Sequence, residues 1–323
     1  MSKTTSEAAT LRLKVTSKRE IAVGIHQFEL RHTEGKELPA FTPGSHLTVS
    51  LPNGQKRRYS ITNPPIERER YVLAVKREIN GRGGSVSLVD EVAEGDHIDV
   101  SPPANNFEMS AREPRSYLFV AGGIGITPIR SMIYHLLAQG KTNFRLYYFT
   151  RSPDLTAFRE EFADHRFKGK VVIHHDNGDP EQAFDLWPIL GEPRGAHLYC
   201  CGPQPLMNAV KDMTGFWSDD ALHFEDFGAV ATARADDTAF TIRLAASGEC
   251  FNVEPGVSIL DTLRLNGHRV PSSCESGTCG TCRVRFLAGD PEHRDLVLSE
   301  QEKKTEIMVC VSRARSDEIV LDI

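Results

Sequence analysis

The sequence predicts a multidomain α+β protein, and three observations support this fold class. Short strand-like runs separated by Gly and Pro fill residues 11–110 and favour a small antiparallel β-barrel. From Ser116 onward, strand and helix patterns alternate, with one helix expected over 155–163, which is typical of a doubly wound α/β domain. The C-terminal part places two strand candidates and a helix, with Ser258 expected as its cap, before a cysteine-rich loop, 271–282, and a strand candidate around Cys310 after it. That order suits a β-grasp domain.

Bulk properties agree with several globular domains. A chain of 323 residues is too long for one ordinary core, and its 40% hydrophobic and 25% charged residues are typical of a soluble protein. The first residues, MSKTTSEAATLRLKV, lack the apolar stretch of a signal peptide. The longest run without Asp, Glu, Lys, Arg or His, 116–129, is too short to span a bilayer. We therefore expect a cytoplasmic protein with reduced thiols and no membrane partner, and we expect it to be monomeric.

Charge is distributed unevenly along the chain. The net charge of −6 argues against general nucleic-acid binding. Residues 236–323 contain 10 Lys and Arg against 15 Asp and Glu, which leaves a net −5 in this part alone. This acidic part is either an ordinary solvated surface or a docking face for a partner with basic residues.

The cysteine spacing predicts the metal centre. Cys274, Cys279 and Cys282 form C-x4-C-x2-C, and Cys310 follows after 27 intervening residues. This is the plant-type spacing of a [2Fe–2S] cluster held by four thiolates, so these four cysteines are the expected ligands. Zinc is the alternative, but zinc ribbons usually show two C-x2-C pairs and only one occurs here. A disulfide framework is disfavoured because nothing in the chain indicates secretion.

Two segments of the first part carry candidate ligand-binding chemistry. Arg57, Tyr59 and Ser60 lie on one predicted strand, where they offer a cation for a phosphate, a ring to cover a flat ligand and a hydroxyl for its edge. The second segment, NGRGGS at 80–85, precedes a helical pattern. Its glycines, Arg82 and the helix N-terminus together suit an anion. A plain hairpin loop is the alternative interpretation of this second segment.

The second part contains two motifs that suit a nucleotide. GGIGITP at 122–128 follows a buried strand, with Thr127 expected as the helix N-cap and Pro128 at the first helical position. It is not the common G-x-G-x-x-G fingerprint, yet a glycine-rich strand-to-helix turn suits a pyrophosphate. Cys201-Gly202-Pro203 opens a later helix in the same way. Of the other thiols, Cys200 is expected to be a buried strand residue and Cys250 to lie in a core.

These motifs resemble known reductases. R-x-Y-S followed by G-x-x-S resembles the flavin domain of the ferredoxin reductase superfamily, and GGIGITP followed by C-G-P resembles its pyridine-nucleotide domain. The order of the three parts, with local text such as HLYCCGPQPLM and PSSCESGTCG, is similar to the phthalate dioxygenase reductase family over nearly the whole chain.

The resemblance implies an iron–sulfur flavoprotein oxidoreductase that uses NADH, FMN rather than FAD, and a [2Fe–2S] cluster. NADH delivers two electrons at once and the cluster accepts one, so a flavin must lie between them. Plant-type clusters lie near ~−400 mV and Rieske clusters at roughly −150 mV or above, which makes a Rieske oxygenase a sensible acceptor. The oxygenase implied is phthalate dioxygenase, with a vanillate-type demethylase as the alternative. A redox-sensing iron–sulfur flavoprotein is a third hypothesis. NADPH also stays open, because Arg151 follows a strand end, although no dense basic cluster for a 2′-phosphate occurs.

The resemblance also implies roles for individual residues. Ser60, Cys201, Glu225 and Phe227 are expected at the hydride-transfer site, where Phe227, or alternatively Phe224, would stack near the flavin. The candidates for binding flavin and nucleotide are Arg57, Tyr59, Ser60, Ala74, Val75, Lys76, Gly81, Arg82, Gly83, Gly84, Ser85, Gly122, Gly123, Gly125, Thr127, Pro128, Thr150, Arg151, Cys201, Gly202 and Pro203.

The expected domain boundaries follow the motifs. An FMN-binding β-barrel spans residues 1–112, an NAD-binding α/β domain 113–228 and a β-grasp ferredoxin domain 238–323. The small and polar stretch AVATARADD at 229–237 is expected to be the linker between the last two.

Overall fold

The computed structural model describes residues 10–81, 83–227, 237–272, 277 and 280–323. The chain divides into two compact units, Met1–Glu225 and Asp226–Ile323. The first unit contains both the predicted barrel and the predicted nucleotide domain. The predicted linker lies outside the described residues except for Asp237, so the linker assignment stays a prediction.

Antiparallel strands form the barrel of the first unit. The elements are β1 (Leu11–Ala22), β2 (Ile25–His32), β3 (Ser45–Ser50), β4 (Lys56–Ser60), β5 (Tyr71–Lys76), α1 (Gly84–Glu91), β6 (His97–Val100) and β7 (Ala104–Asn105). Their order is β4-β3-β6-β1-β2-β5, with β7 paired to β3. A bridge between Ile61 and Leu73 joins the chain after β4 to β5 and closes the sheet on itself. Alternate residues such as Leu13 and Val15 fill the interior, because successive side chains of a strand point to opposite faces.

A parallel sheet with helices follows in the same unit. The elements are β8 (Ser116–Gly122), α2 (Ile126–Ala138), β9 (Phe144–Thr150), α3 (Arg159–Phe162), β10 (Val171–His175), α4 (Trp187–Leu190), β11 (Ala196–Cys201), α5 (Gln204–Thr214) and β12 (Leu222–Glu225). The strand order β10-β9-β8-β11-β12 confirms the doubly wound fold. The order reverses direction between β8 and β11, which is where such folds bind ligands.

Two local predictions in this sheet are wrong. Thr127 is not the N-cap of α2, because a 3₁₀ turn at Gly123–Gly125 runs directly into a helix that begins at Ile126. The Thr127 hydroxyl instead donates to the carbonyl of Ile124 at 2.9 Å, and Pro128 is the third helical residue. The helix predicted over 155–163 is only a 3₁₀ turn followed by the four-residue α3, because Phe158 adopts a left-handed conformation with φ 59°.

Polar contacts fasten the barrel to the parallel sheet. Arg130 on α2 donates to the carbonyl of Thr62 at 2.7 Å and forms a two-pronged ion pair with Glu161 at 2.8 and 2.9 Å. The neighbouring Ser131 hydroxyl donates to the carbonyl of Asn63 at 2.9 Å. The bonds to the carbonyls of Thr62 and Asn63 cross from the parallel sheet to the barrel, and the paired bonds to Glu161 fix the Arg130 side chain that makes one of them.

A mixed sheet forms the second unit. The elements are β13 (Phe240–Leu244), β14 (Cys250–Val253), α6 (Ile259–Leu265), β15 (Arg283–Ala288), β16 (Pro291–Glu292), β17 (Glu306–Met308), β18 (Arg313–Ala314) and β19 (Glu318–Leu321). The order β14-β13-β19-β15-β17, with β13 and β19 parallel and α6 packed on the core, confirms the β-grasp ferredoxin fold. Ser258 caps α6 by accepting the amide hydrogen of Asp261 at 3.0 Å, as the sequence predicts.

Two cysteine placements in this unit differ from expectation. Cys250 is exposed at the start of β14 rather than buried, because its side chain falls on the outer face of an edge strand. Cys310 lies in a turn just after β17 rather than on a strand, although its side chain is fully buried.

A buried ionic network stabilises the second unit where its chain enters. The side chains of Asp237, Arg294 and Arg313 are 1%, 3% and 3% exposed. Arg294 binds Asp237 at 2.6 and 3.3 Å and Glu292 at 2.6 Å, while Arg313 donates to backbone carbonyls, including that of Val257 at 2.8 Å. Charges this deeply buried need their partners, because an uncompensated ion in the interior is strongly unfavourable.

We expect the Asp237→Asn variant to lose about 3 kcal/mol of unfolding free energy in the second unit, because the buried guanidinium groups lose a charged partner. Urea titration followed by the visible absorbance of the cluster measures this loss. Asp290→Asn is the matched control, since Asp290 is 64% exposed and pairs loosely with Arg315 at 4.0 Å. Equal unfolding midpoints for both variants would contradict the importance of the network.

Candidate functional site

An arginine lies against the start of α1 in the barrel. A Cβ added to Gly84 would come within 2.9 Å of Cγ and Nε of Arg57, so the helix start and the guanidinium approach as closely as glycine permits. Arg57 also donates to the carbonyl of Lys56 at 2.9 Å and to Gln55 Oε1 at 2.7 Å, which orients its side chain. A cation beside the first amide groups of an eight-residue helix suits a phosphate group.

The loop before α1 is folded for the same purpose. Gly83 has φ 77°, a left-handed conformation that favours glycine, and it leads the chain into the helix. The hydroxyl of Ser85 accepts the amide hydrogen of Glu78 at 3.0 Å and closes the loop around the exposed Gly81. Lys76 pairs with Glu78 at 2.7 Å, and Arg82 lies outside the described residues.

Polar groups of β4 and β5 suit a flat, partly polar ligand. The Tyr59 hydroxyl is buried and has no hydrogen-bond partner among the described residues, and burial raises its pKa to about 12. The side chains of Ala74 and Val75 are buried on opposite faces of β5, in two different hydrophobic cores, which leaves their backbone as the part that could contact a ligand. Beyond the bridge from Leu73, no described strand covers that edge of β5. An unsatisfied buried hydroxyl beside an uncovered strand edge fits a bound flavin.

Ser60, Cys201 and Glu225 come together where the barrel meets the parallel sheet. Glu225 ends β12 directly beside Cys201 in the strand register, and Ser60 at the end of β4 hydrogen bonds to its carboxyl group. Glu225 Oε2 is buried without a hydrogen-bond partner among the described residues. Burial raises the pKa of Glu225 to about 8, against the opposing effects of Arg58 and Ser60. The structure thus brings three of the four expected hydride-site residues together.

The raised pKa of Glu225 predicts how stability depends on pH. The folded protein keeps a proton that the unfolded chain releases above its usual pKa of 4.5, so stability falls as pH rises from about 4.5 to about 8. Glutamine does not ionise, so we expect Glu225→Gln to remove up to roughly 4 kcal/mol of this pH-dependent loss of unfolding free energy. One pKa unit corresponds to about 1.4 kcal/mol. Urea unfolding of the first unit at pH 5 and pH 8 measures it.

The control for this pH dependence is Glu192→Gln. Glu192 is 71% exposed and pairs only with Arg194 on the surface of the same unit. The Glu192→Gln variant should show the same change of unfolding free energy with pH as the wild-type protein. An unchanged slope in Glu225→Gln would show that Glu225 is not the group responsible.

The two glycine motifs of the parallel sheet meet backbone to backbone. A Cβ on Gly125 would lie 2.1 Å from the carbonyl oxygen of Cys201, and a Cβ on Gly202 would lie 2.9 Å from Cα of Gly122. A Cβ on Gly122 would lie 2.5 Å from Cδ of Pro203. The contact lies between β8 and β11, where the strand order reverses. A side chain at any of these glycines would collide with the other motif, so each motif needs glycine for the two backbones to come this close. The crevice between them suits a pyrophosphate.

The remaining candidate nucleotide-binding residues lie at the same edge of the parallel sheet, but they differ in how accessible they are to a ligand. Gly123 has φ 52° and open space around it, and Arg151 is exposed. Thr150 is buried, and its hydroxyl already bonds to Thr156 at 2.7 Å and His175 at 2.9 Å. The hydroxyl of Thr150 is already engaged within the protein, so its main effect is to stabilise the end of the strand rather than to bind a ligand.

The two aromatic candidates near Glu225 differ in exposure. Phe227 is 40% exposed. Phe224 is partly buried against the sheet core, with Lys211 Nζ 5.1 Å from its ring centre. Only Phe227 presents its ring for stacking, which keeps it the better candidate. Cys200 is fully buried on its strand as predicted, and burial raises the pKa of its thiol to about 12.

The second unit brings buried thiols beside a glycine-rich loop. Cys282 and Cys310 are 1% and 0% exposed, and the amide of Val309 donates to the carbonyl of Cys282 at 3.3 Å. Gly277 and Gly280 have φ 74° and 78°, which favours glycine. Cys274 and Cys279 lie outside the described residues. Two enclosed thiols from separate segments beside such a loop fit a cluster held by four thiolates.

One residue of this region carries no signal in the sequence. Asp295 packs on the cluster loop at Gly277, yet it is distant from the cysteines in sequence and belongs to no motif. Only the burial of its side chain, which the sequence does not display, reveals it.

Comparisons with known proteins agree with this geometry. Three family models match in order: an oxidoreductase FAD-binding domain over residues 12–109, an oxidoreductase NAD-binding domain over 119–212 and a 2Fe-2S iron-sulfur cluster binding domain over 242–315. The phthalate 4,5-dioxygenase oxygenase reductase subunit of Pseudomonas putida is 54% identical over 312 residues, which are 96% of each chain. The chain belongs to the phthalate dioxygenase reductase family.

Further members of this family and a solved structure extend the match. The solved structure of phthalate dioxygenase reductase, described as a modular structure for electron transfer from pyridine nucleotides to [2Fe–2S], is 51% identical, and the match covers 98% of both chains with a TM-score of 0.85. A vanillate O-demethylase oxidoreductase of Acinetobacter baylyi is 38% identical over 94% of this chain and 96% of that protein. The protein is therefore an oxidoreductase with flavin, NAD and [2Fe–2S] domains, and the prediction of a cluster over zinc is confirmed. Across the described residues, no helix has the length and apolar character needed to cross a membrane.

Proposed function

We propose that the protein carries electrons from NADH through a bound flavin and a [2Fe–2S] cluster to the oxygenase component of a phthalate dioxygenase. The observation that carries this proposal is the hydrogen bond from Ser60 of the barrel to Glu225 of the parallel sheet. It joins the flavin motif and the nucleotide motif at one place. The full-length similarity to a phthalate 4,5-dioxygenase reductase subunit supports the oxygenase partner.

The chain's own residues have defined tasks in this reaction. When bound, a flavin accepts an electron pair and releases single electrons, which makes NADH compatible with a one-electron cluster. Arg57 and the start of α1 hold the phosphate, and Tyr59 offers its unsatisfied hydroxyl. Burial raises the pKa of Glu225 to about 8, so its carboxyl group holds a proton at neutral pH and would offer a hydrogen bond to a cofactor bound where the barrel meets the parallel sheet. Cys274, Cys279, Cys282 and Cys310 hold the cluster.

We propose FMN as the flavin and NADH as the donor. Arg57 lies against Gly84 at the start of α1, where Gly83 leads the chain into the helix, and this compact helix start suits the terminal phosphate of FMN. Beyond the exposed Arg151, the loop at 176–179 is acidic, and both carboxylates cap their own turn by accepting amide hydrogens. This loop disfavours a 2′-phosphate. Chromatography of the heat-released flavin, and kcat/KM for NADH against NADPH, test the two assignments.

We also propose that the protein acts as a cytoplasmic monomer with the domain boundaries 1–112, 113–228 and 238–323. The separate compact unit from Asp226 onward supports a self-contained cluster domain. Sedimentation of the purified holoprotein at micromolar concentration tests the monomer.

Reconstitution with purified oxygenase components tests the partner. We expect phthalate-dependent NADH consumption with a phthalate dioxygenase and much slower turnover with a vanillate-type demethylase. The reverse preference would assign the protein to the demethylase pathway. A flavin that NADH does not bleach under anaerobic conditions would favour a redox-sensing role and overturn the reductase proposal.

A further inference from the structure

A buried carboxylate packs on the loop that carries the cluster cysteines. The Asp295 side chain is 0% exposed. Its Cα and Cβ lie 3.1 and 3.4 Å from the position that a Cβ on Gly277 would occupy. The next residue, Leu296, donates its amide hydrogen to the carbonyl of Gly277 at 3.0 Å. Asp295 is thus held against a residue that lies between two expected cluster ligands in sequence.

Within the part of the chain that the structure describes, one oxygen of this carboxylate has hydrogen bonds and the other has none. Oδ2 accepts the amide hydrogens of Leu298 at 2.8 Å and Val297 at 3.3 Å. Oδ1 is buried and has no hydrogen-bond partner among the described residues. His293 Nδ1 lies 3.7 Å from it, beyond hydrogen-bond distance, and the other ring nitrogen of His293 lies 2.9 Å from the carbonyl of Lys303. The negative charge is therefore only partly compensated.

A capping role alone does not account for a charged group at this position. Asparagine would accept the same two amide hydrogens without burying a charge, and burying a half-satisfied carboxylate is unfavourable. The charge acts instead on its surroundings, because Coulomb interactions are strong where water is excluded. The reduction potential of an iron–sulfur cluster depends on net charge, hydrogen bonds and solvent exposure around it.

We propose that the Asp295 carboxylate lowers the reduction potential of the [2Fe–2S] cluster and so favours passing its electron onward. Reduction adds one electron to a centre already surrounded by four thiolates, and a nearby buried negative charge opposes that addition. The inference rests on the proposed function for its cluster and ligand set. It does not depend on which oxygenase accepts the electron.

The test is a potentiometric titration of the full-length holoprotein, followed by the visible and EPR spectra of the cluster. We expect Asp295→Asn to raise the ratio of reduced to oxidised cluster about tenfold at a fixed potential, equivalent to ~59 mV for a one-electron couple. Asp295→Glu keeps the charge and should stay near the wild-type potential. Asp290→Asn removes an exposed carboxylate of the same unit and should leave the potential unchanged.

Each outcome decides the proposal. An unchanged potential in Asp295→Asn, with the EPR signature intact, would overturn it. Asp295→Ser is a second neutral variant in case the first does not assemble. If neither neutral variant retains the iron content of the wild type, Asp295 holds the loop together and the tuning role is wrong. A protein that titrates as expected but fails with every oxygenase would leave this inference standing and refute the proposed partner instead.

Discussion

Replacing Cys310 by serine should abolish the cluster spectrum and all electron delivery to cytochrome c, while NADH still bleaches the flavin. Cys310 is 0% exposed and comes from a turn after β17, so it is the expected ligand from outside the cysteine-rich loop. Every candidate flavin and nucleotide residue except Phe227 lies in the other compact unit, which has its own cores. Iron analysis and anaerobic absorbance after NADH addition measure the two effects separately.

The control for this variant is Cys250→Ser. Cys250 is exposed on an edge strand of the same unit and belongs to no motif, so its replacement should leave both spectra unchanged. If Cys310→Ser also lost flavin bleaching, the two units would not be independent. The modular interpretation of the chain would then be wrong.

Replacing Gly125 by alanine should slow flavin reduction by NADH by about two orders of magnitude, because a misplacement of ~1 Å in a reacting complex has an effect of that size. The added Cβ would lie 2.1 Å from the carbonyl oxygen of Cys201 and 2.5 Å from its carbon. These are backbone atoms in the buried end of a strand, so they cannot rotate away. The start of α2 must move from the Cys201–Pro203 turn, which widens the nucleotide crevice.

Gly215→Ala is the matched control for this effect. Gly215 directly follows α5, a helix that packs on the same parallel sheet, and has φ −59°. A Cβ added there would lie 3.9 Å from its nearest neighbour, the carbonyl oxygen of Lys211. Anaerobic stopped-flow bleaching of the flavin should give the wild-type rate for this control. Both variants should retain the cluster spectrum. A wild-type rate in Gly125→Ala would show that the close approach of the two motifs does not position the nicotinamide.

The three cofactor-binding domains, which the family models confirm, were predictable because ligand chemistry constrains neighbouring residues. A cluster needs thiolates at set spacing, and a phosphate needs glycines beside a helix start, so Cys282 and Gly84 stand in recognisable local patterns. Ser258 was predicted as a helix cap because its signal is equally local. Thr127 failed as a cap because a 3₁₀ turn before it had already begun the helix. Cys250 failed as a core residue because one strand face is exposed in an edge strand.

The sequence by itself determined the order of the three parts and predicted the cysteine ligand set and the glycine motifs, because these depend on residues close together in the chain. Only the tertiary structure decided that Gly125 meets Cys201 and that Ser60 bonds to Glu225. It also decided that the Asp295 carboxylate is buried on the cluster loop. Parallel strands and barrel closure bring these partners together from distant positions. Close approach, burial and the resulting pKa therefore arise from packing, which no local pattern records.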